Sequence, residues 1–219
     1  MSFKKNKYII VKKAVSKEMA LFCYNYFLMK RQVARTLFDT RYISPFTDYF
    51  GIWNDKQIMG TYSHYSDIVM ETLMLKLLPD MCKYTKLKNL TPNYSYARIY
   101  KKGDVLKRHK DRFSCEISTT MNLGGDDWPI YLEPKKNVGI PDGKKITKYS
   151  NNKGIKIHLK PGDMLIYRGM ELEHWREEFK GRDCGQVFLH YNNAITKKSK
   201  ENLYDTRPHL GLPNFFRKK

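Results

Sequence analysis

His109 and Asp111 stand one residue apart in the stretch RHKDRFSCEIS, residues 108–118. On an extended strand, residues i and i+2 point to the same side about 6.6 Å apart, so an imidazole and a carboxylate there can reach one metal ion. With six histidines and 22 acidic residues in 219 positions, chance supplies about 0.6 His-x-Asp/Glu tripeptides. The tripeptide alone is therefore weak, and its setting has to carry the argument. This donor pair suits ferrous iron, and a second histidine from another strand would complete a facial triad with three adjacent positions left open. Three later histidines compete for that place. His158 lies in IKIHLKPGD, His174 follows DMLIYRG after one turn, and His190 lies within QVFLHYN. In a jelly roll the end of one strand faces the start of a later one and a ligand belongs near the barrel mouth, so His174, just past Gly169, fits best. His158 and His190 read more simply as hydrogen-bonded strand histidines, with His190 sharing strand parity with Gln186 and Phe188.

Those side chains need a scaffold, and the chain changes period where it would have to supply one. Tyr8–Val11 is a short strand candidate. Ser16 can cap a helix whose apolar residues Met19, Phe22, Cys23, Phe27 and Val33 recur at helical spacing. Ser66 or Asp67 can cap a second helix over Ile68–Leu78, which Pro79 ends or restarts. From about Tyr94 onward the segments YSYARIY, CEISTTMNL, WPIYLEP, IKIHL, DMLIYR and QVFLHYN are short and rich in β-branched and aromatic residues. Gly, Pro, Asp and Asn separate them. Helices followed by evenly spaced strands describe an α+β domain with a β-sandwich or barrel carrying helices on one flank. The polar, turn-rich stretch 134–154 is of the kind that is mobile or functional. The C-terminal DTRPHLGLPNFFRKK is mixed, and Phe215 and Phe216 are expected to dock against the body.

The chain length suits one large domain over 1–219. Hydrophobic content of 41% with 14% aromatics suffices for a packed core. No apolar run approaches the roughly 18 residues of a membrane span, and the N-terminal MSFKKNKYIIVKK has too short an apolar stretch for a signal peptide. An intracellular, cytoplasmic protein without a membrane partner is expected. Cys23, Cys82, Cys115 and Cys184 lie far apart with no CxxC pairing, which favours free thiols over a zinc knuckle or a disulfide framework. The net charge of +19 attracts anions, nucleic acid among them. No Arg-rich recognition helix or repeat of stacking aromatics among basic residues accompanies it, so nucleic acid stays open but not favoured.

Taken together, YARIYKKGDVLKRHKDR, CEISTTMNLGGDDWPIYLEP and KPGDMLIYRGMELEHW followed by QVFLHYNN resemble the Fe(II)- and 2-oxoglutarate-dependent oxygenases. The likeness is to the prolyl 4-hydroxylase-like branch and its small stand-alone viral and bacterial members. It covers about residues 90–193, and the helical N-terminal part more loosely. It implies a double-stranded β-helix, jelly-roll or cupin-like, over 91–193, with a mainly helical flank at 1–90 and a C-terminal tail at 194–219. It also implies Fe(II) held by His109, Asp111 and His174, 2-oxoglutarate and O2 as cosubstrates, and ascorbate as an auxiliary reductant.

Family members place a Lys or Arg for the distal carboxylate of 2-oxoglutarate roughly ten residues after the second histidine. Here positions 183–185 read Asp-Cys-Gly, and the nearest cations are Lys180 and Arg182. Arg182 is the expected clamp, a planar fork able to take a carboxylate bidentately. Tyr100, nine residues before His109, matches a tyrosine that binds the same carboxylate. Ser118, Thr120 and Asn122 alternate on one strand face and can add donors. Arg112 reads either as a structural ion pair or as a substrate contact. Trp128 and Trp175 are candidates to wall the substrate groove, with a core role as the plainer reading, and 134–154 is a candidate lid. The expected activity is hydroxylation of a peptide or protein, foremost prolyl 4-hydroxylation, with succinate and CO2 as coproducts. The alternatives are oxygenation of a nucleic-acid base and a jelly-roll binding protein without turnover.

Overall fold

The computed structural model describes residues 2–44, 46–135, 151–195 and 201–218, together with the backbone of 140–142 and 145–148. The first half of the chain runs α1 (Phe3–Asn6), β1 (Tyr8–Val11), α2 (Lys17–Asp39), β2 (Tyr62–Tyr65) and α3 (Ile68–Thr85). Ser16 caps α2 by accepting the Met19 N–H at 3.1 Å, and Asp67 caps α3 by accepting from Val69 and Met70 at 3.0 and 3.1 Å. Both caps satisfy amides that a helix start leaves without partners. Pro79 does not end α3. The helix continues to Thr85 because Met74, Leu77 and Met81 bury one stripe across the proline. Lys86, in a left-handed conformation, terminates it and donates its N–H to the Cys82 carbonyl. No helix among the described residues is long and apolar enough to cross a membrane.

The apolar periodicity of α2 conceals two stripes. Ala20, Cys23, Tyr24, Phe27 and Ala34 are buried, whereas Met19, Phe22 and Val33, expected in the core, are 36%, 67% and 46% exposed. The small residues decide which stripe faces inward. Ala20 and Ala34 let the helix approach the sheet closely, and Tyr24 lies flat over two strand glycines. A Cβ at Gly124 or Gly185 would come within 2.8 or 2.5 Å of the Tyr24 ring.

The second half is all strand: β3 (Leu90–Lys101), β4 (Leu106–His109), β5 (Ile117–Gly125), β6 (Ile130–Leu132), β7 (Ile140–Asp142) and β8 (Lys145–Lys148). It continues with β9 (Ile155–Ile157), β10 (Met164–Tyr167), β11 (His174–Arg176) and β12 (Asp183–Asn193). A six-stranded antiparallel sheet has the order β1-β10-β5-β12-β3-β2, and a four-stranded sheet the order β4-β11-β6-β9. The two sheets form the expected α+β double-stranded β-helix core. The flank at 1–90 is not only helical, since it supplies both edge strands of the larger sheet. Within 134–154, β7 and β8 form a two-stranded hairpin; the rest of this candidate lid falls partly outside the described residues.

Strand parity divides the larger sheet cleanly. One face sends Ala97, Ile99, Met121, Leu123, Val187 and Leu189 into a core shared with α2 and α3. The other face sends Tyr94, Tyr96, Arg98, Tyr100, Ser118, Thr120, Gln186 and His190 into the space between the sheets. Near one end of that space Leu132, Leu165 and Tyr167 are part of a second apolar cluster. The polar residues of the inner face are left to line whatever the open end holds.

Candidate metal centre and its cavity

β4 and β11 are antiparallel neighbours in the smaller sheet, with His109 and His174 in direct register. Their rings lie 4.2 Å apart, centroid to centroid. Asp111 follows just beyond the end of β4, where its N–H donates to the Gly169 carbonyl at 2.9 Å. That bond brings its carboxylate back between the imidazoles, with Oδ1 3.8 Å from His109 Nε2 and 3.4 Å from His174 Nε2. One ligand atom from each of the three residues lies within 4.8 Å of the others, a cluster able to hold a metal ion.

The ring tautomers are fixed by the chain. His109 Nδ1 donates to the Lys107 carbonyl at 2.7 Å and His174 Nδ1 to the Leu172 carbonyl at 3.1 Å. Each ring therefore presents the Nε2 lone pair to the shared space, the arrangement expected of metal-ligating imidazoles. Burial, with the imidazole of His174 alongside, pushes the His109 pKa down to about 4. Burial alone would raise the Asp111 carboxyl; contacts with His174, and then with His190 and His109, outweigh it and hold the group well below the usual carboxylate range. Ser118 Oγ donates to Asp111 Oδ2 at 2.5 Å and lies 3.1 Å from His190 Nδ1. Ser118 thus orients the carboxylate and leaves Oδ1 facing the metal position. Two imidazoles with their Nε2 atoms turned to one point, together with a carboxylate, are the donor chemistry that a ferrous site requires.

Close to this cluster lies a buried cation that makes no salt bridge among the described residues. Arg176, two residues after His174 on the same face of β11, is 1% exposed. It donates to the Trp128 carbonyl, to Thr120 Oγ1 at 3.3 Å and to Gln186 Oε1 at 3.1 Å. Its Nε has no hydrogen-bond partner, and no carboxylate among the described residues forms a salt bridge with it. The Tyr100 hydroxyl, whose ring packs on the same Trp128 indole, is also buried, with the Arg98 guanidinium beside it and no other hydrogen-bond partner among the described residues. Burial pulls the Arg176 pKa down. An interior guanidinium held only by neutral acceptors costs several kcal/mol, and an anion seated against it would relieve that cost.

Arg182 does not reach this interior. Its side chain is 91% exposed and pairs with Asp183 at 3.2 Å, because β12 begins only at Asp183 and leaves Arg182 in the preceding turn. Trp128 is a core residue, packed on Phe179 and donating its indole N–H to the Glu177 carbonyl at 2.8 Å. Trp175 lies on the outer face of the smaller sheet, between Tyr131, whose ring stacks at 5.5 Å, and the Arg108 guanidinium 3.9 Å away. Neither tryptophan walls the cavity. Asn122 donates to the Leu159 carbonyl at 2.6 Å and takes no part in the site. His158 pairs with Asp127 on the surface, as an ordinary strand histidine would, while His190 lines the cavity and stacks on Tyr94. Sequence reasoning missed Arg176, although strand alternation puts a residue two after His174 on the same side; Asp111, by contrast, lies past the end of β4 and reaches His109 through its bond to the Gly169 carbonyl and not through alternation.

The metal cluster opens into a cavity of about 330 Å³ whose walls include Asp55, Gln57, Tyr96 and Arg98. A second groove of about 290 Å³ shares Tyr94, Tyr96 and Arg112 with it and runs toward Asn214 and Arg217. The arginines along this path are all paired, two of them with one shared carboxylate. Arg98 pairs with Asp55 at 2.7 Å, Arg112 with Asp205 at 2.7 Å, and Arg217 with the same Asp205 at 3.4 Å. Tyr65 adds its hydroxyl to Asp205 at 2.7 Å. The C-terminal tail is therefore part of the groove wall.

The sequence matches no protein-family model and no curated protein. Solved structures with the same fold are numerous. A Pseudomonas putida prolyl-4-hydroxylase is 12% identical over 87% of this chain and 95% of its own, with a TM-score of 0.53. The viral collagen prolyl hydroxylase of Paramecium Bursaria Chlorella virus-1, solved with 2-oxoglutarate, is 9% identical over 86% of this chain and 97% of its own, with a TM-score of 0.54. The epimerase SnoN of nogalamycin biosynthesis, described as non-heme and α-ketoglutarate-dependent, is 10% identical over 88% and 80%, with a TM-score of 0.62.

Proposed function

We propose that this protein is an Fe(II)- and 2-oxoglutarate-dependent oxygenase that hydroxylates a peptide, with a prolyl residue as the foremost target. One observation carries the reaction class: His109, Asp111 and His174 converge with both Nε2 lone pairs and one carboxylate oxygen directed at a common point. Fe(II) would sit there, held by those three atoms. Arg176, with Thr120 and the Tyr100 hydroxyl, would take the distal carboxylate of 2-oxoglutarate, an anion matched to a buried cation that makes no salt bridge among the described residues. Bound together, iron and 2-oxoglutarate supply the oxidising power that turns O2 and a C–H bond into an alcohol, with succinate and CO2 as coproducts.

The chain's own contributions follow from its contacts. Ser118 keeps Asp111 in one orientation, and the Lys107 and Leu172 carbonyls keep the imidazoles in one tautomer. Tyr167, edge-on to His174 at 4.8 Å and almost wholly buried, walls the metal position. The open side faces the tyrosine groove, so substrate approaches from there.

The groove favours a peptide over a nucleic acid despite the +19 charge. Phosphate binding needs cations free to replace counterions; on this path Arg98 pairs with Asp55, and Arg112 and Arg217 share Asp205, so little of the chain's charge is left there beyond one arginine's excess and Lys110. What remains is chiefly the ring faces of Tyr65, Tyr94 and Tyr96, a lining suited to an extended, proline-containing chain. The same-fold epimerase shows that the scaffold also serves other chemistry. The test begins with anaerobic addition of Fe(II) and 2-oxoglutarate, which should give a weak visible charge-transfer band; folded protein without the band removes the oxygenase reading. Succinate release stimulated by proline-rich peptides, with a +16 mass gain on the peptide, supports the substrate class. Stimulation by single-stranded DNA or RNA instead would replace it.

A further inference from the structure

The cavity wall contributed by the segment between α2 and β2 has a contact that neither metal holding nor cosubstrate binding explains. Gln57 Nε2 lies 3.2 Å from His109 Nε2. Because His109 Nδ1 donates to the Lys107 carbonyl, Nε2 carries the lone pair and the Gln57 carboxamide donates into it. That lone pair is the one a metal ion at this site would use. It cannot serve both, so an ion that binds His109 must displace Gln57.

The segment around Gln57 is anchored on either side. Ile52 and Ser63 exchange backbone hydrogen bonds at 2.8 and 2.9 Å, and the Gly60 N–H donates to the Trp53 carbonyl at 2.7 Å. Asp55 Oδ1 accepts the Gln57 N–H at 2.7 Å, while Asp55 Oδ2 accepts from Arg98 at 2.7 Å and from the Tyr96 hydroxyl. Arg98 is buried, so Asp55 is tied to the sheet. The loop is held at both ends, while its tip at Lys56 and Gln57 is exposed where the metal cavity opens toward solvent, and the Gln57–His109 hydrogen bond is one of the contacts that hold the tip down.

We propose that Gln57 is a positioning residue that masks His109 until a metal ion binds, and that its release then reshapes the substrate side of the cavity. This rests on the oxygenase reading, since it needs a metal at His109. Once freed, the carboxamide stands at the mouth with a donor and an acceptor, the pair that a peptide bond beside the reacting residue can meet. Metal loading and the substrate wall are thereby coupled, and the wall takes its working shape only in protein that carries the ion.

The experiment is calorimetric titration of Mn(II), used as a redox-quiet probe, into the wild-type protein and Gln57→Ala, with tryptic cleavage after the exposed Lys56 followed in parallel. Removing a competing hydrogen bond of ordinary strength should tighten Mn(II) binding about 2- to 12-fold. Cleavage after Lys56 should accelerate when Mn(II) is added to the wild type and be metal-independent in Gln57→Ala. A merely structural role predicts weaker binding, so tightening separates the two. Unchanged or weakened Mn(II) affinity in a folded Gln57→Ala overturns the masking role, as does wild-type cleavage indifferent to Mn(II). Failure of the wild type to bind Mn(II) at all overturns the oxygenase reading itself and this inference with it.

Discussion

Replacing Gly169 with alanine should disable the metal centre while leaving the fold intact. Gly169 lies outside the left-handed region, so alanine is conformationally acceptable there and the effect is purely one of space. The added Cβ would lie 2.0 Å from Asp111 Oδ2 and 2.2 Å from Ser118 Oγ. To reach an ordinary contact of 3.4 Å the carboxylate oxygen must retreat by about 1.4 Å, whereas metal–ligand distances tolerate roughly 0.2 Å. Asp111 cannot simply swing aside, because its own N–H is bonded to the Gly169 carbonyl. Relaxation therefore breaks the Ser118 hydrogen bond and misplaces Oδ1 together. Loss of such a supporting contact costs about 10- to 100-fold in metal affinity, or roughly 1.4–2.8 kcal/mol, and the double clash places Gly169→Ala near the upper end. Mn(II) calorimetry measures the affinity, and thermal melting followed by circular dichroism checks the fold. Wild-type Mn(II) affinity in folded Gly169→Ala would refute the argument that close approach at Gly169 sets the Asp111 ligand.

Other outcomes follow from the same contacts. His109→Ala, Asp111→Ala and His174→Ala should each lose Mn(II) binding and turnover with little change in melting temperature; retention of both in any one would break the triad. Arg176→Met should raise the 2-oxoglutarate requirement by about 30-fold or more, from the loss of a buried charge pair worth 2–5 kcal/mol, with Mn(II) affinity unchanged. Arg182→Ala should change neither, and kinetics in varied 2-oxoglutarate distinguishes the two arginines. Asp205→Asn should raise the KM for peptide several-fold with kcat retained, because Arg112 and Arg217 lose their shared partner; an unchanged KM would take the groove out of the substrate path. Asp67, buried at the head of α3, gives a stability test. Burial would raise its carboxyl, but the His64 hydrogen bond and Lys30 prevail and hold it below the usual range. With the folded value depressed, its contribution is complete above an unfolded pKa near 3.9 and is lost as pH falls toward the folded value. Asp67→Asn should cost about 3–5 kcal/mol at neutral pH by stranding Lys30 and should flatten the acid limb of the stability profile, both measurable by urea unfolding at several pH values.

How much the residue order disclosed depended on whether residue type or three-dimensional register made the decision. The His109–Asp111 pair was readable because its chemistry resides in the residue types, and His174 because a ligand at the barrel mouth must follow a strand and a turn. The strands β4 and β11 that carry these ligands were not readable, since three or four residues are too few to show a period. The cation proposed for the distal carboxylate differs from the one expected for a physical reason. A spacing of about ten residues after His174 points to Arg182, but in this chain that position is a turn outside the barrel, and alternation along β11 brings Arg176 inside instead. The first long helix shows another limit, since a period of 3.6 marks Met19, Phe22 and Val33 as well as Cys23 and Phe27. Only the close packing of Tyr24 on Gly124 and Gly185 selects the buried stripe. Asp205 left no trace, because its approach to Arg112 depends on a left-handed backbone at Tyr204, Asp205 and Thr206, none of them glycine.

That run of left-handed residues makes the groove separable from the cluster beside it. The groove is assembled from β3, from Arg112 after β4, and from a carboxylate almost a hundred residues further along, whose second arginine comes at 217. Trimming the chain back to Asn193 would take away the shared partner of Arg112 and Arg217 while both sheets, and with them His109, Asp111 and His174, keep every strand. A cut in the tail would thus unmake the groove and spare the candidate metal centre, so the two halves of the cavity can be lost one at a time.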